Sequence, residues 1–519
     1  MKWRRSAVAV TTLACITGAM LAVPAAVAAP TPASKHHPPP PPPPPPPPTG
    51  TFVTAFGASL NGSQLNLTPE QVQPTSDGGY IALAGTETQT GGAAWLVKFS
   101  ATGIPQWQEG VGCSVASDSA SGVSAQQTAD GGYVVAGGTV GCGSGSTCPP
   151  NSGLQCALVE KFDPAGKLMW ADVYNAGPLG SAINQIRQTA DGGYVAVGST
   201  VDAQQNVGAM ILKLDGDGNV QWQDDVGPAG ADGAYFNAVE QTAGGGYVAT
   251  GDDYTPTAGG AQTQVLLASF DANGGVRWQR GMATTSVNGA PNSGSTDASS
   301  IVSTSDGGFA IAGIWNSGSL SSGGGPRGAL LLKFDAGGNL QWQQAYSGSV
   351  YCFDNGISET CTNIGAVAYS VLQTSDGGYV LAGDGDLELL DETPLVPWQA
   401  KTDSSGNLSW QHFYYQAAST GRPLSEYFAT SAVEPANGFV NAGLTENYTA
   451  QRDEVYVAST DSSGLVGSCS DVQSATPLET VNPGLIAVAP ALPVQVVGTS
   501  AASSPVTTFA TTISTQKDC

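Results

Sequence analysis

Histidine and basic residues are scarce in this chain of 519 residues. Of three His, His36 and His37 lie in a proline tract, so His412 is the one imidazole available to a folded site. This excludes a His-rich metal centre, and a Ser/His/Asp triad could only be built around His412. Lys and Arg number 17 against 41 Asp and Glu, a formal net charge of -24. So acidic a chain cannot neutralise phosphates effectively, which makes nucleic acid and anionic membranes poor partners.

Long apolar runs are also missing, except at the N-terminus. Three basic residues within the first five positions precede an apolar stretch, and small residues at 26–28 offer a cleavage site. We therefore predict a signal peptide over residues 1–28 and a protein that is secreted or held at the cell surface or in the periplasm. A twin-arginine signal at Arg4-Arg5 and a lipoprotein signal at Cys15 are the alternatives. No later stretch reaches the roughly 18 to 20 apolar residues that span a bilayer, so we expect no transmembrane segment in the mature chain.

Proline is concentrated next to this leader. The chain from Pro38 to Pro48 is unbroken proline, which adopts an extended polyproline II helix. Residues 29–50 are therefore predicted to be a linker that acts as a spacer. A ligand for a proline-binding domain is the alternative.

Glycine, by contrast, is abundant at 69 residues, and much of it belongs to a repeated motif. Six copies resemble Thr75-Ser-Asp-Gly-Gly-Tyr80, and a seventh, Pro435-Ala-Asn-Gly-Phe439, is degenerate. The mean period is about 60 residues. The aromatic residue that ends the motif is found at Tyr80, Tyr133, Tyr194, Tyr247, Phe309, Tyr379 and Phe439.

A second motif follows each copy of the first, as in Lys161-Phe-Asp-Pro-Ala-Gly-Lys-Leu-Met-Trp170. The first copy has Ser100 in place of the Asp and keeps Trp107. In five copies Trp comes seven residues after Asp: Asp163 and Trp170, Asp215 and Trp222, Asp271 and Trp278, Asp335 and Trp342, Asp403 and Trp410.

Each repeat is predicted to form four short strands, labelled a to d, because Gly-rich turns separate β-branched and aromatic runs. In the third repeat we expect strands at 183–188, 194–198, 209–214 and 220–226. Seven such repeats predict an all-β, seven-bladed β-propeller over residues 51–468. The last repeat lacks its Trp strand, and Phe52-Val-Thr-Ala-Phe56-Gly57 matches that strand in spacing. We therefore expect residues 51–57 to close the ring as the missing outer strand.

Repetition itself suggests structural roles. We expect the Asp of each Asp-Gly-Gly turn to accept hydrogen bonds from its own turn, and each Trp to pack between blades. Lys residues two positions before the Asp of the second motif are expected to pair with that Asp where it is present. The residues concerned are Asp77, Asp130, Asp191, Asp306 and Asp376 in the turns, and Lys98, Lys161, Lys213, Lys333 and Lys401.

Loop lengths distinguish the two faces of the propeller. The a–b and c–d turns are short and uniform, whereas the b–c loops and d–a crossings on the opposite face vary widely. A rigid scaffold that varies on one face carries its specificity there, so we call this the variable face and expect ligand binding on it. Its aromatic candidates are Tyr254, Trp315, Tyr351, Phe353, Trp398, Tyr414, Tyr415 and Tyr448.

Eight cysteines follow the leader, an even number in a protein predicted to be exported. We predict that Cys352 pairs with Cys361 and Cys469 with Cys519, while Cys113 pairs with one of Cys142, Cys148 and Cys156. Each disulfide would stabilise the fold by about 2 to 4 kcal/mol. A metal site at Cys142, Cys148 and Cys156 has the wrong spacing for a zinc knuckle. Residues 469–519 are expected to be a Thr/Ser/Val-rich tail, either a stalk or strands on the propeller rim.

Two acidic segments are candidate cation sites. We expect no cofactor, and calcium at one of these segments is the alternative. Asp215, Asp217 and Asn219 have the spacing of the start of a calcium loop without its later Glu. Asp384, Asp386 and Glu388, with Asp391 and Glu392 nearby, lie on the variable face and are the better candidate. A solvated acidic loop is the competing interpretation.

The two motifs together resemble the secreted bacterial and archaeal propeller-repeat proteins related to the delta-60 type, over about residues 51–468. That resemblance implies a propeller outside the cell and no particular reaction. The second motif is also similar to the tryptophan-docking motif of quinoprotein propellers, best seen in 163–170. The chain has seven repeats and no adjacent Cys-Cys pair, unlike quinoprotein dehydrogenases, so we interpret its Trp motif as packing.

These features are compatible with two functions. The first is a non-enzymatic binding propeller, expected to be a monomer, that docks an extracellular protein or glycan on the variable face. The second is an enzyme acting on extracellular polysaccharide, with an acid and a base drawn from the blade-six loop or from Asp252 and Asp253. A raised carboxyl pKa among these residues would favour the enzyme.

Overall fold

The computed structural model describes most of the chain between residues 52 and 517. The described residues are 52–60, 63–64, 66–88, 91–113, 119–140, 155–226, 233–257, 260–284, 286–287, 290–291, 295–316, 327–354, 359–386, 395–414, 426–433, 438–447, 452–465, 472–473, 479–481, 485–488, 494–496, 500–503, 506–509 and 512–517. Every regular element in them is a β-strand, which confirms the all-β class. The predicted leader and linker lie outside the described residues.

Each of the first six repeats forms a four-stranded antiparallel meander. Strands β1 (Phe52–Leu60) and β2 (Ser63–Gln64) precede them. Repeats one to three comprise β3 (Asn66–Pro74), β4 (Tyr80–Thr88), β5 (Gly91–Phe99), β6 (Pro105–Cys113), β7 (Ser119–Gln127), β8 (Tyr133–Val140), β9 (Gln155–Phe162), β10 (Leu168–Asn175), β11 (Gly180–Gln188), β12 (Tyr194–Val201), β13 (Val207–Leu214) and β14 (Val220–Val226). In repeat three all four predicted strands are present, the first three somewhat longer than expected.

Repeats four to six have the same strand order, repeat seven has three strands of its own, and several of these later strands are longer. Repeats four and five comprise β15 (Ala234–Gln241), β16 (Tyr247–Thr257), β17 (Gly260–Phe270), β18 (Val276–Thr284), the hairpin β19 (Ser286–Val287) and β20 (Ala290–Pro291), β21 (Ser295–Ser303), β22 (Phe309–Asn316), β23 (Arg327–Phe334) and β24 (Leu340–Asp354). Repeats six and seven comprise β25 (Glu359–Gln373), β26 (Tyr379–Asp386), β27 (Leu395–Thr402), β28 (Leu408–Tyr414), β29 (Glu426–Val433), β30 (Gly438–Asn447) and β31 (Arg452–Asp461).

These strands form a β-propeller, but its large sheets number six among the described residues, so the predicted count of seven separate blades is wrong. The difference arises at β24 and β25, which are 15 residues long and pair beyond the ends of their own meanders. Their pairing joins repeats five and six into one ten-stranded sheet. In the last sheet β1 pairs with β31, with Phe52 opposite Ser459.

The core lies between neighbouring sheets, which explains why the middle strands are buried on both faces. In β4, for example, Leu83 belongs to a cluster shared with repeat two. Its neighbour Ala82 belongs to a cluster that also contains Val440 and Val457 of repeat seven. Successive residues of a strand point to opposite faces, so continuous apolar runs are needed to fill both interfaces.

The repeated Trp packs between repeats, as predicted. Trp222 of repeat three lies 5.8 Å from Tyr247 of repeat four, measured between ring centroids. The same ring covers Gly274, in the c–d turn of repeat four, where an added methyl group would lie 2.8 Å from it. Gly274 has a positive φ of 91°, so the turn and the Trp contact both require glycine.

The Asp-Gly-Gly turns also behave as expected, since Asp191 Oδ1 accepts the Gly193 amide at 3.0 Å. The prediction for the lysines is wrong. Lys213 Nζ lies 2.9 Å from Asp191 Oδ2 of the a–b turn and does not pair with Asp215, two residues further on. Asp215 is occupied by its own turn, where it accepts the amides of Asp217 and Asn219. The same turn pairing joins Lys98 to Asp77, Lys161 to Asp130, Lys333 to Asp306 and Lys401 to Asp376.

The tail contributes seven short strands, of which six pair with the fourth strand of a repeat and the last, β38, pairs with β1. They are β32 (Val472–Gln473), β33 (Glu479–Val481), β34 (Leu485–Val488), β35 (Val494–Val496), β36 (Ser500–Ser503), β37 (Val506–Phe509) and β38 (Thr512–Lys517). The tail thus lies on the rim of the propeller as an extra outer layer.

Candidate functional site

The inner strands of the first six repeats carry a β-bulge at the same place, five residues before the Thr of the first motif. In β3 the register shifts between Pro69 and Gln71, so that Glu70 is the extra residue. A bulge turns a side chain out of the alternation of its strand. The corresponding residues of the first six repeats are Glu70, Val123, Asn184, Asn237, Ser299 and Tyr369.

All six bulge residues line one cavity on the propeller axis, with a volume of about 720 Å³. Amide and hydroxyl side chains make up about half of the whole lining, with residues such as Gln71, Gln185 and Ser300, and the remainder is apolar or charged. Typical ligand pockets have volumes of about 300 to 1,000 Å³ and are mostly apolar. This cavity has the size of a ligand site with an unusually polar wall.

Hydrogen bonds between neighbouring inner strands hold this wall in place. Gln71 Oε1 accepts the Ala125 amide at 2.6 Å, and Gln185 Oε1 accepts the Val239 amide at 2.8 Å. Asn184 Nδ2 donates to the Phe236 carbonyl at 2.9 Å. Each bond joins two repeats, so the lining side chains have fixed positions before any ligand arrives.

Charge in the cavity is limited to one ion pair and one further carboxyl. Arg187 Nη2 lies 3.5 Å from Glu240 Oε1, and both side chains are about three-quarters buried. Burial raises the pKa of Glu240, and the charge of Arg187 partly opposes that rise. On Glu70, burial raises the pKa to about 7. The cavity therefore loses or gains one negative charge close to neutral pH.

The cavity does not lie among the loops that the sequence favoured. Its lining residues occupy the half of each inner strand between the bulge and the a–b turn, as Glu70 and Pro74 do in β3. That half faces the short, uniform turns. Much of the variable face lies outside the described residues, including most of the b–c loop at 384–397.

The predicted aromatic residues are buried, half-buried, or have side chains that the structure does not describe. Trp398 and Tyr414 are core residues: Trp398 Nε1 donates to Gln411 Oε1, and the Tyr414 hydroxyl donates to the Gly464 carbonyl. Trp315 is also buried, at 8% exposure, and within the described residues its Nε1 has no hydrogen-bond partner. Tyr254 is half-buried, with its hydroxyl 3.2 Å from that of Tyr235. The backbones of Tyr351 and Phe353 lie in β24 and their side chains are not described, and Tyr415 and Tyr448 lie outside the described residues.

The cysteine predictions can be followed at four positions. Cys352 and Cys361 are opposite each other in the β24–β25 ladder, the arrangement that their predicted disulfide needs. Cys156 is buried and disulfide-bonded. Cys113 ends β6, and only its backbone is described. The remaining predicted cysteines, Cys142, Cys148, Cys469 and Cys519, lie outside the described residues.

Neither acidic segment forms a cation site within the described part of the chain. No three His, Cys, Asp or Glu side chains come together there in a way that could hold a metal ion. Asp384 is buried, and its Oδ2 accepts the Tyr369 hydroxyl at 3.2 Å. The Asp386 side chain is not described, and Glu388 lies outside the described residues. The carboxylate of Asp215 is held by its turn, as in the equivalent Asp335 and Asp403 turns.

Buried carboxyl groups occur beside the cavity in repeats four and five. Asp252 is 2% exposed, and its two oxygens accept the Ala298 amide at 2.8 Å and Asn237 Nδ2 at 2.9 Å. Burial and the nearby charge of Asp297 raise the pKa of Asp252 to about 8. Burial also raises the pKa of Asp297, and the Thr263 hydroxyl partly offsets this.

The predicted acid and base pair of Asp252 and Asp253 is therefore not formed. Consecutive strand residues point to opposite faces, and Asp253 instead accepts a hydrogen bond from Gln264 Nε2 at 2.7 Å. The carboxyl that influences Asp252 is Asp297, which no sequence motif marks. His412 is likewise buried, stacked on Trp410, with Nε2 2.8 Å from the Ser463 carbonyl oxygen.

Sequence reasoning missed the cavity because its residues share no residue type. The six bulge positions carry Glu, Val, two Asn, Ser and Tyr, so no motif marks them. The available signal was positional. All six occur five residues before the motif Thr, at the point where a bulge interrupts the alternation of each inner strand.

Comparisons with known proteins show similarity of shape. No protein-family model and no curated protein matches the chain. Among solved structures, the polysaccharide lyase Uly1 superposes with a TM-score of 0.41 at 7% identity, over 78% of this chain and 94% of that one. A fructofuranosidase from Schwanniomyces occidentalis, complexed with fructose, gives a TM-score of 0.25 at 8% identity, over 78% and 93% of the two chains. Similarities this weak carry no argument about activity.

No described residue belongs to a helix with the length and apolar character needed to cross a bilayer.

Proposed function

We propose that this protein is an exported, non-enzymatic binding propeller whose axial cavity takes a neutral, hydroxyl-rich ligand, a segment of glycan. The observation that supports this proposal is the 720 Å³ cavity with its wall of amides and hydroxyls. Such groups donate and accept hydrogen bonds, as sugar hydroxyls do. The cavity has room for a few sugar rings, and its lining is more polar than apolar.

The electrostatics favour an uncharged ligand. Arg187 is already paired with Glu240, and Glu70 adds a partial negative charge near neutral pH. An acidic sugar would lose its hydration without gaining a free cation in exchange. A neutral glycan avoids that cost, and we expect it to bind more tightly below pH 7, where Glu70 is protonated and can donate.

The variable face has a separate role in this proposal, the selection of ligands. Its loops differ between repeats, and we propose that they select which protein or longer glycan approaches the axis. Export through the signal peptide at 1–28 would bring the protein to such ligands, with the proline linker as a spacer.

The axial cavity requires a closed ring, and we propose that β1 closes it. Strand β1 pairs with β31 from Phe52 opposite Ser459 to Phe56 opposite Val455. Residues of repeats one and seven also share a buried cluster. A ring closed by joining the two ends of its chain has no open sheet edge at that junction.

An enzyme acting on polysaccharide is the second candidate, because the pKa of Asp252 is raised to about 8. A carboxyl protonated at neutral pH is a suitable general acid. However, Asp252 is 2% exposed and both its oxygens already accept hydrogen bonds that join repeats four and five. Its geometry suits a structural acid better than one that must reach a substrate.

The test combines a glycan panel with one variant that blocks the cavity. Val123 is a bulge residue facing the cavity, so Val123→Trp should fill it and abolish binding. The control Ile104→Trp adds the same ring at a position that is 63% exposed, and should bind normally. Calorimetry with neutral and uronic acid oligosaccharides measures both, with melting temperatures to verify folding.

The outcomes separate the candidates. Binding by the wild type and by Ile104→Trp, but not by a folded Val123→Trp, supports the axial site. Equal binding by both variants would place the ligand outside the axial cavity and refute the proposed site. New reducing ends that appear with wild type during incubation would favour the enzyme, and Asp252→Asn should then remove that activity.

A further inference from the structure

The tail strands pair with the propeller in an ordered circuit. Strand β32 pairs with β28 of repeat six, and the next five strands pair with the outer strands of repeats five, four, three, two and one in turn. The last, β38, pairs with β1. The chain therefore passes the repeats in the reverse of their sequence order and returns to the sheet that contains repeat seven.

Each tail strand is short, and all pairings are antiparallel. The pairings involve two residues of β32, four of β36 and six of β38. One such pairing is weak, since isolated two-stranded ladders are marginal in water. Seven in series on one chain act together, because each pairing raises the effective concentration of the next.

The end of this circuit lies at the proposed ring closure. Strand β1 has β31 on one edge and β38 on the other, with Thr54 opposite both Val457 and Lys517. The strand that joins the two ends of the propeller is thus held from inside by repeat seven and from outside by the tail. Without β38, the outer edge of β1 would be open over six residues.

Two cysteines flank the circuit in the sequence. Cys469 comes three residues before β32, and Cys519 comes two residues after β38. Lys517, two residues before Cys519 in the sequence, lies opposite Thr54 of β1, and Phe52 of β1 lies opposite Ser459 of β31. The end of β31 leads into the turn at Asp461–Leu465, four residues before Cys469.

We propose that residues 469–519 form a belt around the propeller, fastened by a disulfide between Cys469 and Cys519, and that this belt holds the ring closed. The two thiols would lose two protons and two electrons to a disulfide-bearing oxidant, which is reduced to two thiols. Exported proteins meet such oxidants outside the cytosol. This role is independent of what the cavity binds.

The disulfide is tested by cutting the belt. The recognition sequence of a site-specific protease replaces residues 489–493, between β34 and β35, in the full chain. The folded protein is cut, denatured without reductant and weighed by mass spectrometry. We expect the C-terminal fragment to stay attached until reductant is added, and to be released without reductant from Cys469→Ser.

A matched control removes a different cysteine. Cys352→Ser should retain the fragment, because Cys352 lies opposite Cys361 in another ladder. Release of the fragment before reduction from the cut protein that keeps all its cysteines would overturn the proposed disulfide, as would its retention by Cys469→Ser.

The clamping role is tested on the same cut protein after mild reduction. We expect the melting temperature to fall by several degrees, and the segment 52–60 to become sensitive to a nonspecific protease. An uncut sample under the same reductant controls for other disulfides. If cutting and reduction change neither the melting temperature nor the cleavage of this segment, the belt does not hold the ring and the proposal fails.

Discussion

The turn ion pairs allow a quantitative test of how the repeats are held together, and Lys213 with Asp191 is the clearest case. The Lys213 side chain is 2% exposed, whereas that of Asp191 is 54% exposed. Lys213 Nζ lies 2.9 Å from Asp191 Oδ2 and also donates to the Leu214 carbonyl at 2.9 Å. The cation is thus buried and depends on a half-exposed partner.

The pKa of Asp191 bounds the size of the effect. Burial alone would raise it, but hydrogen bonds from Thr189, Lys213 and the Gly193 amide, with the charge of Lys213, lower it to about 2. A fall from 3.8 to about 2 corresponds to about 2.5 kcal/mol of stability. Because the carboxylate is half exposed, solvent screening reduces this to about 1 kcal/mol. The stabilisation is present above pH 4 and is lost as the pH falls towards 2.

The two partners should differ when replaced singly. Asp191→Asn leaves a buried ammonium without its counter-ion, and we expect it to lower the free energy of unfolding by about 2 kcal/mol. Lys213→Ser removes the buried charge itself, leaves no uncompensated cation and should cost about 1 kcal/mol. The double variant should cost about 1.5 kcal/mol, less than the sum, because it leaves no unpaired cation.

Denaturant unfolding at pH 7 and at pH 3 measures all four proteins of this cycle. The coupling should shrink at pH 3, where Asp191 in the unfolded chain is already protonated. Strictly additive costs at pH 7, or an identical coupling at both pH values, would refute the reasoning, since the ion pair would then contribute nothing specific.

Two further predictions concern packing and burial. Gly274→Ala should lower the free energy of unfolding by about 2 to 3 kcal/mol, because its φ is positive and the methyl group would collide with Trp222 and Asp224. Gly192→Ala is the matched control: its φ is 84° but the space around it is open, so it should cost only about 1 kcal/mol. Equal melting temperatures of the two variants would rule out the Trp contact. For Glu160, burial raises the pKa from 4.5 to about 8, so the folded protein holds the extra proton and its stability should fall as the pH rises from 5 to 8. Glu160→Gln should reduce that fall in denaturant titrations, and an unchanged slope would contradict the assignment.

Much of the fold could be predicted because each repeat contains the sequence signals of its own turns and strands. The Asp-Gly-Gly turn, the aromatic strand after it and the Trp strand recur often enough that chance similarity is excluded. The number of sheets was not predictable in the same way. It depends on β24 and β25 continuing beyond their meanders, in a segment around Cys352 that no other repeat shares.

The candidate site could not be predicted from the sequence, and the reason is physical. A bulge is a property of backbone pairing, and side chains as different as Glu70 and Val123 are compatible with it. The positions of the tail strands could not be predicted for a similar reason. Its strands are stabilised by the partner edge, so segments such as Ser500–Ser503 need no apolar pattern of their own.

One interaction was within reach of the sequence and was assigned to the wrong partner. Five repeats have both the turn Asp and the Lys. Repeat four has Gly244 and Ser269 at these positions, and repeat seven has Ala436 and Ser459. The two residues are therefore kept or lost together within one chain.

The second-motif Asp shows no such association with the Lys. Repeat one keeps Lys98 although Ser100 replaces that Asp, while repeats four and seven keep Asp271 and Asp461 without any Lys. A buried ammonium is costly without its counter-ion, so a Lys is tolerated only where its true partner is present. The pattern of joint loss thus identifies the turn Asp as the partner, in agreement with the observed pairing of Lys98 with Asp77.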